Sequence, residues 1–201
     1  MLAPRPAPGA AVISAELAIE ARAGPTARLG ADGERVARAC RDMAGRFRAG
    51  GRLLVFGTGA AVTDAEHVAV EFVHPVIVGK RALPALTLTA DVATLTSVAA
   101  GQGMAQVFAH QIRLLAGAHD IALGITPDGR DPAVQAGLEA AAAGGLLTVA
   151  LTGGGGGHAG HPVVDHCLEV DSDDPLVVKE IHVTTYHILW ELVHVWLERG
   201  T

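Results

Sequence analysis

The stretch Leu53–Phe72, LLVFGTGAAVTDAEHVAVEF, decides the fold. It opens on an unbroken apolar run, Leu53 to Phe56, the pattern of a strand covered on both faces. Gly57-Thr58-Gly59 then makes a tight turn. From Ala61 apolar residues recur at helical spacing, and the helix carries His67 and Glu71 on one face at i, i+4. Backbone N–H groups at such a strand-to-helix turn, together with the helix dipole, favour an anion. The turn is not GxGxxG, because Val62 stands where the third glycine would be, and no Gly-Lys-Ser/Thr follows. Gly57, Thr58 and Gly59 therefore suit an anion site and a plain tight turn equally.

The same alternation continues outward. Apolar runs at 52–56, 85–89, 120–125, 146–151 and 166–170 predict five strands. The segments 61–74, 92–116, 131–144 and 176–199 predict helices between and after them. Strands without polar alternation, separated by helices, imply parallel βαβ units with helices on both faces. The expected class is α/β, a three-layer αβα sandwich around a five-stranded parallel sheet. Upstream, residues 1–9 read as a tail, and 10–50 as two helices outside the main domain of 51–201. The first spans 10–23 and is broken by Gly24-Pro25; the second runs from Asp32 to Ala49, ended by Gly50-Gly51.

Composition narrows the function classes. Half of the 201 residues are hydrophobic but only 3% are aromatic, so the core is aliphatic. The net charge of −6 comes without a basic cluster, which argues against a nucleic-acid partner. No apolar run approaches the roughly 20 residues of a membrane span. The start of the chain lacks the pattern of a secretory leader, and Cys40 and Cys167 have no CxxC partner. A reduced, cytoplasmic protein is expected.

Four segments carry candidate chemistry. His67 and Glu71 suit a divalent metal such as zinc, but two ligands do not define a site, and a surface pair fits the same spacing. The last helix bears Lys179, Glu180, His182, His187, Glu191 and His194. His187, Glu191 and His194 can share a face, as metal ligands, a solvated stripe or an oligomer contact, and His182 lies on another. In GITPDGRDPA, 124–133, Asp131 is placed to cap a helix that starts at Pro132. Thr126 and Arg130 there could attract an anion that Asp128 and Asp131 would repel. The glycine-rich TGGGGGHAGH, 152–161, reads as a loop with His158 and His161.

Taken in order, these segments resemble the sugar isomerase (SIS) domain family, and its phosphoheptose isomerase branch above all. The resemblance runs from about residue 34 to 197. It rests on RFRAGGRLLVFGTGAAVTDAEHVAVEF, ALTLTADVATLTSVA, DIALGITPDG, LLTVALTGGGGG and KEIHVTTYHIL. It implies a flavodoxin-like fold and a homotetramer with sites between subunits. It also implies a zinc site that matches His67, Glu71 and His187, with Lys179 where the family has glutamine. Glu71 and His187 match the family's acid/base pair, and Asp91 matches an aspartate near the sugar. The phosphate pocket departs from the pattern. Ala61 replaces the serine after the glycine turn, and Pro75 replaces an arginine. The serine-rich loop becomes Thr126, Pro127, Asp128, Gly129, Arg130 and Asp131. Each hydrogen bond lost to a charged oxygen forfeits about 1.5–3 kcal/mol.

The expected function is an aldose–ketose isomerase acting on a sugar or sugar phosphate, with altered phosphate recognition. The alternatives are a non-catalytic adaptor resembling the DiaA branch of the same family and a metal-binding accessory protein. Substrate contacts are expected at Gly57, Thr58, Gly59, Asp91, Thr126 and Lys179.

Overall fold

The computed structural model describes residues 14–154 and 163–199. The glycine-rich loop with His158 and His161 lies almost wholly outside them, as do residues 1–13. Two helices come first, α1 (Ala15–Ala31) and α2 (Gly33–Arg48). Five strands follow: β1 (Leu53–Gly57), β2 (Ala85–Thr87), β3 (Ile121–Ile125), β4 (Leu147–Gly153) and β5 (His166–Val170). The remaining helices are α3 (Ala61–Val73), α4 (Val92–Gln102), α5 (Val107–Leu115), α6 (Pro132–Ala143) and α7 (Pro175–Glu198).

All strand pairs are parallel, in the order β2-β1-β3-β4-β5. Leu53 of β1 pairs with Ala85 on one side and Ile121 on the other. Side chains of successive strand residues point to opposite faces. Leu53, Val55, Ile121, Leu123, Val149 and Leu151 therefore pack on α2, α3 and α7. Leu54, Phe56, Ala122 and Ala150 pack on α4, α5 and α6. Both sheet faces are buried, which is why β1, β3 and β4 read as continuous apolar runs. The result is an αβα sandwich with two additional N-terminal helices, as expected.

Two helix boundaries differ from the sequence reading. Pro25 lies inside α1 rather than ending it. A proline removes a helical hydrogen bond, yet the helix runs on through Pro25 with a local bond and a link to α7 beside it. Thr26 Oγ1 donates to the Arg22 carbonyl at 2.7 Å, and Arg22 forms a two-pronged pair with Glu180 of α7 at 2.6 and 2.7 Å. The predicted helix over 92–116 is two helices joined by a 3-10 turn, Met104–Gln106. Gly103 adopts φ +90°, which a helix cannot continue through.

Polar residues set the helix starts. Asp91, Asp131 and Asp174 each accept a backbone N–H of the first turn of α4, α6 and α7. Pro132 and Pro175 occupy first-turn positions, where no N–H is needed. Among the described residues, no helix is long and apolar enough to cross a membrane.

Candidate functional site

The chain order reverses across β1. Helix α3 leaves β1 on one face of the sheet, and α6 leaves β3 on the other. The loops after these neighbouring strands diverge and open a cleft at their carboxyl ends, the place where open α/β sheets bind ligands. The cleft holds about 660 Å³ and is lined by Thr58, Gly59, Ala61, Thr126, Asp128 and Asp131, with Lys179 and His182 of α7 closing it. Gly57 does not line it. A Cβ there would lie 2.7 Å from the Ile125 carbonyl oxygen and 2.8 Å from the Ala61 Cβ, so Gly57 serves close packing of the turn.

A second group of side chains lies further along α3 and α7. His67 and Glu71 project from one face of α3, and His187 reaches them from α7. One ligand atom from each lies within 4.8 Å of the others. His67 Nε2 is 3.2 Å from Glu71 Oε1 and 3.4 Å from His187 Nε2. Two ring nitrogens and a carboxylate oxygen at this spacing suit a divalent cation, and three protein donors leave positions open for water or substrate. The residues present therefore fit a metal. Among the described residues, no other group of three such side chains comes as close.

Tyr186 sets the His67 ring. Its hydroxyl lies 2.9 Å from His67 Nδ1. In the tautomer where Nδ1–H donates to the phenol oxygen, Nε2 keeps its lone pair for the cluster. Burial raises the Tyr186 pKa, so the phenol stays neutral. Trp190 Nε1–H donates to the Glu71 carbonyl at 2.8 Å and ties α3 to α7 beneath the cluster. The sequence reading missed both residues. A signal existed for Tyr186, the one tyrosine of the chain and the neighbour of His187.

Lys179 pairs with neither Glu71 nor Glu180. Its ammonium donates to Asp64 Oδ2 at 2.6 Å and to the Ala60 carbonyl and Thr63 Oγ1, both at 3.0 Å. Asp64 is buried at the start of α3 and draws the lysine there, while Glu180 is held by Arg22. His194 stands apart from His187 as a core residue, 1% exposed, with its ring nitrogens 2.8 Å from the Trp190 carbonyl and 2.9 Å from that of Arg81. Glu191 is exposed. Asp91 caps α4 through Thr94, at 3.0 Å to its N–H and 2.6 Å to its hydroxyl, and is not among the cleft-lining residues. Those hydrogen bonds hold its carboxyl below the usual range.

His182 is 2% exposed, and its Nε2 has no hydrogen-bond partner among the described residues. Burial pushes its pKa below the usual 6.5, against the opposing effects of the Thr152 backbone and the Asp64 charge. The unfolded chain takes up this proton below about pH 6.5, while the native ring stays neutral. Stability present above that pH is therefore lost as pH falls towards the lower folded value. His182→Leu is expected to flatten the acid limb of the urea midpoint below about pH 6.5. An unchanged slope would count against a neutral buried ring.

Fold and site together define an α/β protein with a ligand cleft at the carboxyl ends of a parallel sheet and a histidine–carboxylate cluster between α3 and α7. A family model described as SIS domain matches residues 27–153, and the chain belongs to that family. It is 39% identical to a phosphoheptose isomerase of Solidesulfovibrio magneticus over 180 residues, covering 89% of this chain and 87% of the relative. It is also 39% identical to the phosphoheptose isomerase of a Roseiflexus species, over 73% of this chain and 74% of that one. The structure of a phosphoheptose isomerase from Francisella tularensis superposes with a TM-score of 0.83 at 28% identity, covering 90% of this chain and 96% of that chain.

Proposed function

We propose that the protein is an aldose–ketose isomerase acting on a sugar or sugar phosphate at the His67–Glu71–His187 cluster. The observation that carries this reading is the convergence of His67 and Glu71 of α3 with His187 of α7, on the two helices that also line the cleft at the switch point. Isomerisation moves a proton between adjacent carbons through an enediol. Glu71 takes the proton from the carbon next to the carbonyl and returns it to the neighbouring carbon. His187 exchanges a proton with the substrate oxygens as the carbonyl and hydroxyl change places. Tyr186 keeps His67 in register, and Thr58, Gly59 and Thr126 line the space for the rest of the sugar.

His67, Glu71 and His187 would hold a divalent metal, zinc by the chemistry of the donors. Such an ion supplies a Lewis acid that polarises a carbonyl oxygen. Purified protein is expected to carry about one divalent ion per subunit, and His67→Ala to lose it. Elemental analysis finding no metal in protein purified without chelator and then incubated with zinc would remove this part of the reading.

The direct test of the reaction is solvent-deuterium incorporation into sedoheptulose 7-phosphate and unphosphorylated ketoses, followed by NMR. Incorporation into none of them would favour a non-catalytic adaptor, a reading supported by the carboxylates in the loop after β3. The proposed working form is a cytoplasmic homotetramer, since α1 has no buried residue and exposes Leu17 and Ile19. Light scattering that gives a monomer would sink it.

A further inference from the structure

Several of the cleft's donors, the Thr58 and Thr126 hydroxyls, the first N–H groups of α6 and the Lys179 ammonium, are already bonded to the chain's own groups, Asp128 and Asp131 among them. Asp131 Oδ1 accepts the Ala133 and Val134 N–H groups at the start of α6, at 2.8 and 3.2 Å. Its Oδ2 accepts the Thr58 hydroxyl. Asp128 Oδ1 accepts the Arg130 N–H at 3.0 Å and the Thr126 hydroxyl at 3.3 Å. Lys179 has three protons to give, and Ala60, Thr63 and Asp64 take them. Pro127 and Pro175, which also line the cleft, have no N–H. Arg130, exposed at the rim, offsets the charge of one carboxylate.

Among the described residues one buried side-chain nitrogen has no partner, His182 Nε2, on a cleft-lining side chain that is 2% exposed. A buried unpaired ring nitrogen is costly unless a ligand completes it. A phosphate dianion would meet two carboxylates on donors it needs. A hydroxyl both donates and accepts. It can give its proton to the free lone pairs of Asp128 or Asp131 and can pair with His182 in either tautomer.

We propose that this cleft takes the unphosphorylated, hydroxyl-bearing end of a sugar and discriminates against a phosphate monoester. Asp128 and Asp131 act as built-in anions, and His182 Nε2 is the hydrogen-bond partner of a sugar hydroxyl. The assignment rests on the isomerase reading only for which end of the sugar reacts.

The test is calorimetric titration of the full chain with sedoheptulose, sedoheptulose 7-phosphate and inorganic phosphate. Wild type is expected to bind the free sugar at least about tenfold more tightly than its phosphate ester. In an Asp128→Ser/Asp131→Ser double variant the ester is expected to gain at least about tenfold. Serine is itself a good N-cap, so α6 keeps its start, which circular dichroism checks. His182→Leu is expected to weaken the free sugar by about tenfold without changing metal content. Wild type that prefers the ester, wild type that binds neither sugar, or a folded double variant without gain for the ester would overturn the proposal. Deuterium exchange is read separately. The expected binding preference without exchange leaves the cleft assignment standing and removes the isomerase reading.

Discussion

Glu71→Gln is expected to slow deuterium exchange into the reacting sugar by roughly 100- to 10,000-fold, the range for loss of a positioned acid or base. The substitution keeps the shape of the side chain and the donation from Trp190 to the Glu71 backbone carbonyl. The fold is therefore expected to survive, as far-ultraviolet circular dichroism would report. The amide remains a neutral oxygen ligand beside His67 and His187, so a partial loss of metal does not account for the effect if zinc is supplied in excess. Tyr186→Phe gives the contrast. It removes the hydroxyl 2.9 Å from His67 Nδ1 but no group of the proposed proton transfer. A much smaller loss of exchange is expected there, together with weaker metal retention. Glu71→Gln retaining exchange within about threefold of wild type would exclude Glu71 as the base.

Phe56→Ala is expected to destabilise the protein by about 3–5 kcal/mol, the usual cost of deleting a fully buried aromatic ring. Phe56 is 0% exposed and lies on the central strand β1. Its ring packs on Phe108 of α5, centroid to centroid 5.1 Å. It also fills the space above Gly137 of α6, where a Cβ would meet the ring at 2.7 Å. The glycine is cut to fit the ring, so α6 cannot relax easily to close the cavity. Urea denaturation checks the value, and a loss below about 1 kcal/mol would mean that α5 and α6 collapse onto β1. Because β1 feeds the turn at Thr58, the same variant is expected to weaken ligand binding in the cleft.

Much of the architecture is legible in the chain because it depends on local periodicity. β1, β3 and β4 are apolar throughout since both of their faces are covered, and that pattern needs no tertiary knowledge. The N-cap Asp131 announces α6 in the same local way. Helix boundaries at Pro25 and Gly103 were less legible. α1 continues past Pro25 and is tied to α7 by the Arg22–Glu180 pair, a contact 158 residues away, and a glycine inside an apolar helical pattern does not reveal its φ.

The candidate site divides along similar lines. His67 and Glu71 were visible because i, i+4 spacing fixes a shared helix face. His187 was a candidate from its own helix but was joined to them only by resemblance, and its meeting with them depends on how α3 and α7 pack. Lys179 could not be assigned from its neighbours in sequence, because the buried Asp64 that captures it lies on another helix. Nor could spacing tell His182 from His194. The core carbonyls of Trp190 and Arg81 lie against one, and the other, on a side chain lining the cleft, has a nitrogen without a partner among the described residues.

By itself, then, the sequence determined a parallel α/β sandwich, its strand segments and the residue types available for chemistry. These follow from short-range periodicity, turns and caps. The tertiary structure decided which polar groups already satisfy one another. Hydrogen bonding and burial depend on distances of a few ångströms between segments far apart in the chain. That is why Asp128 and Asp131 read in sequence as residues that repel a phosphate, and in the fold as the anions that occupy its donors.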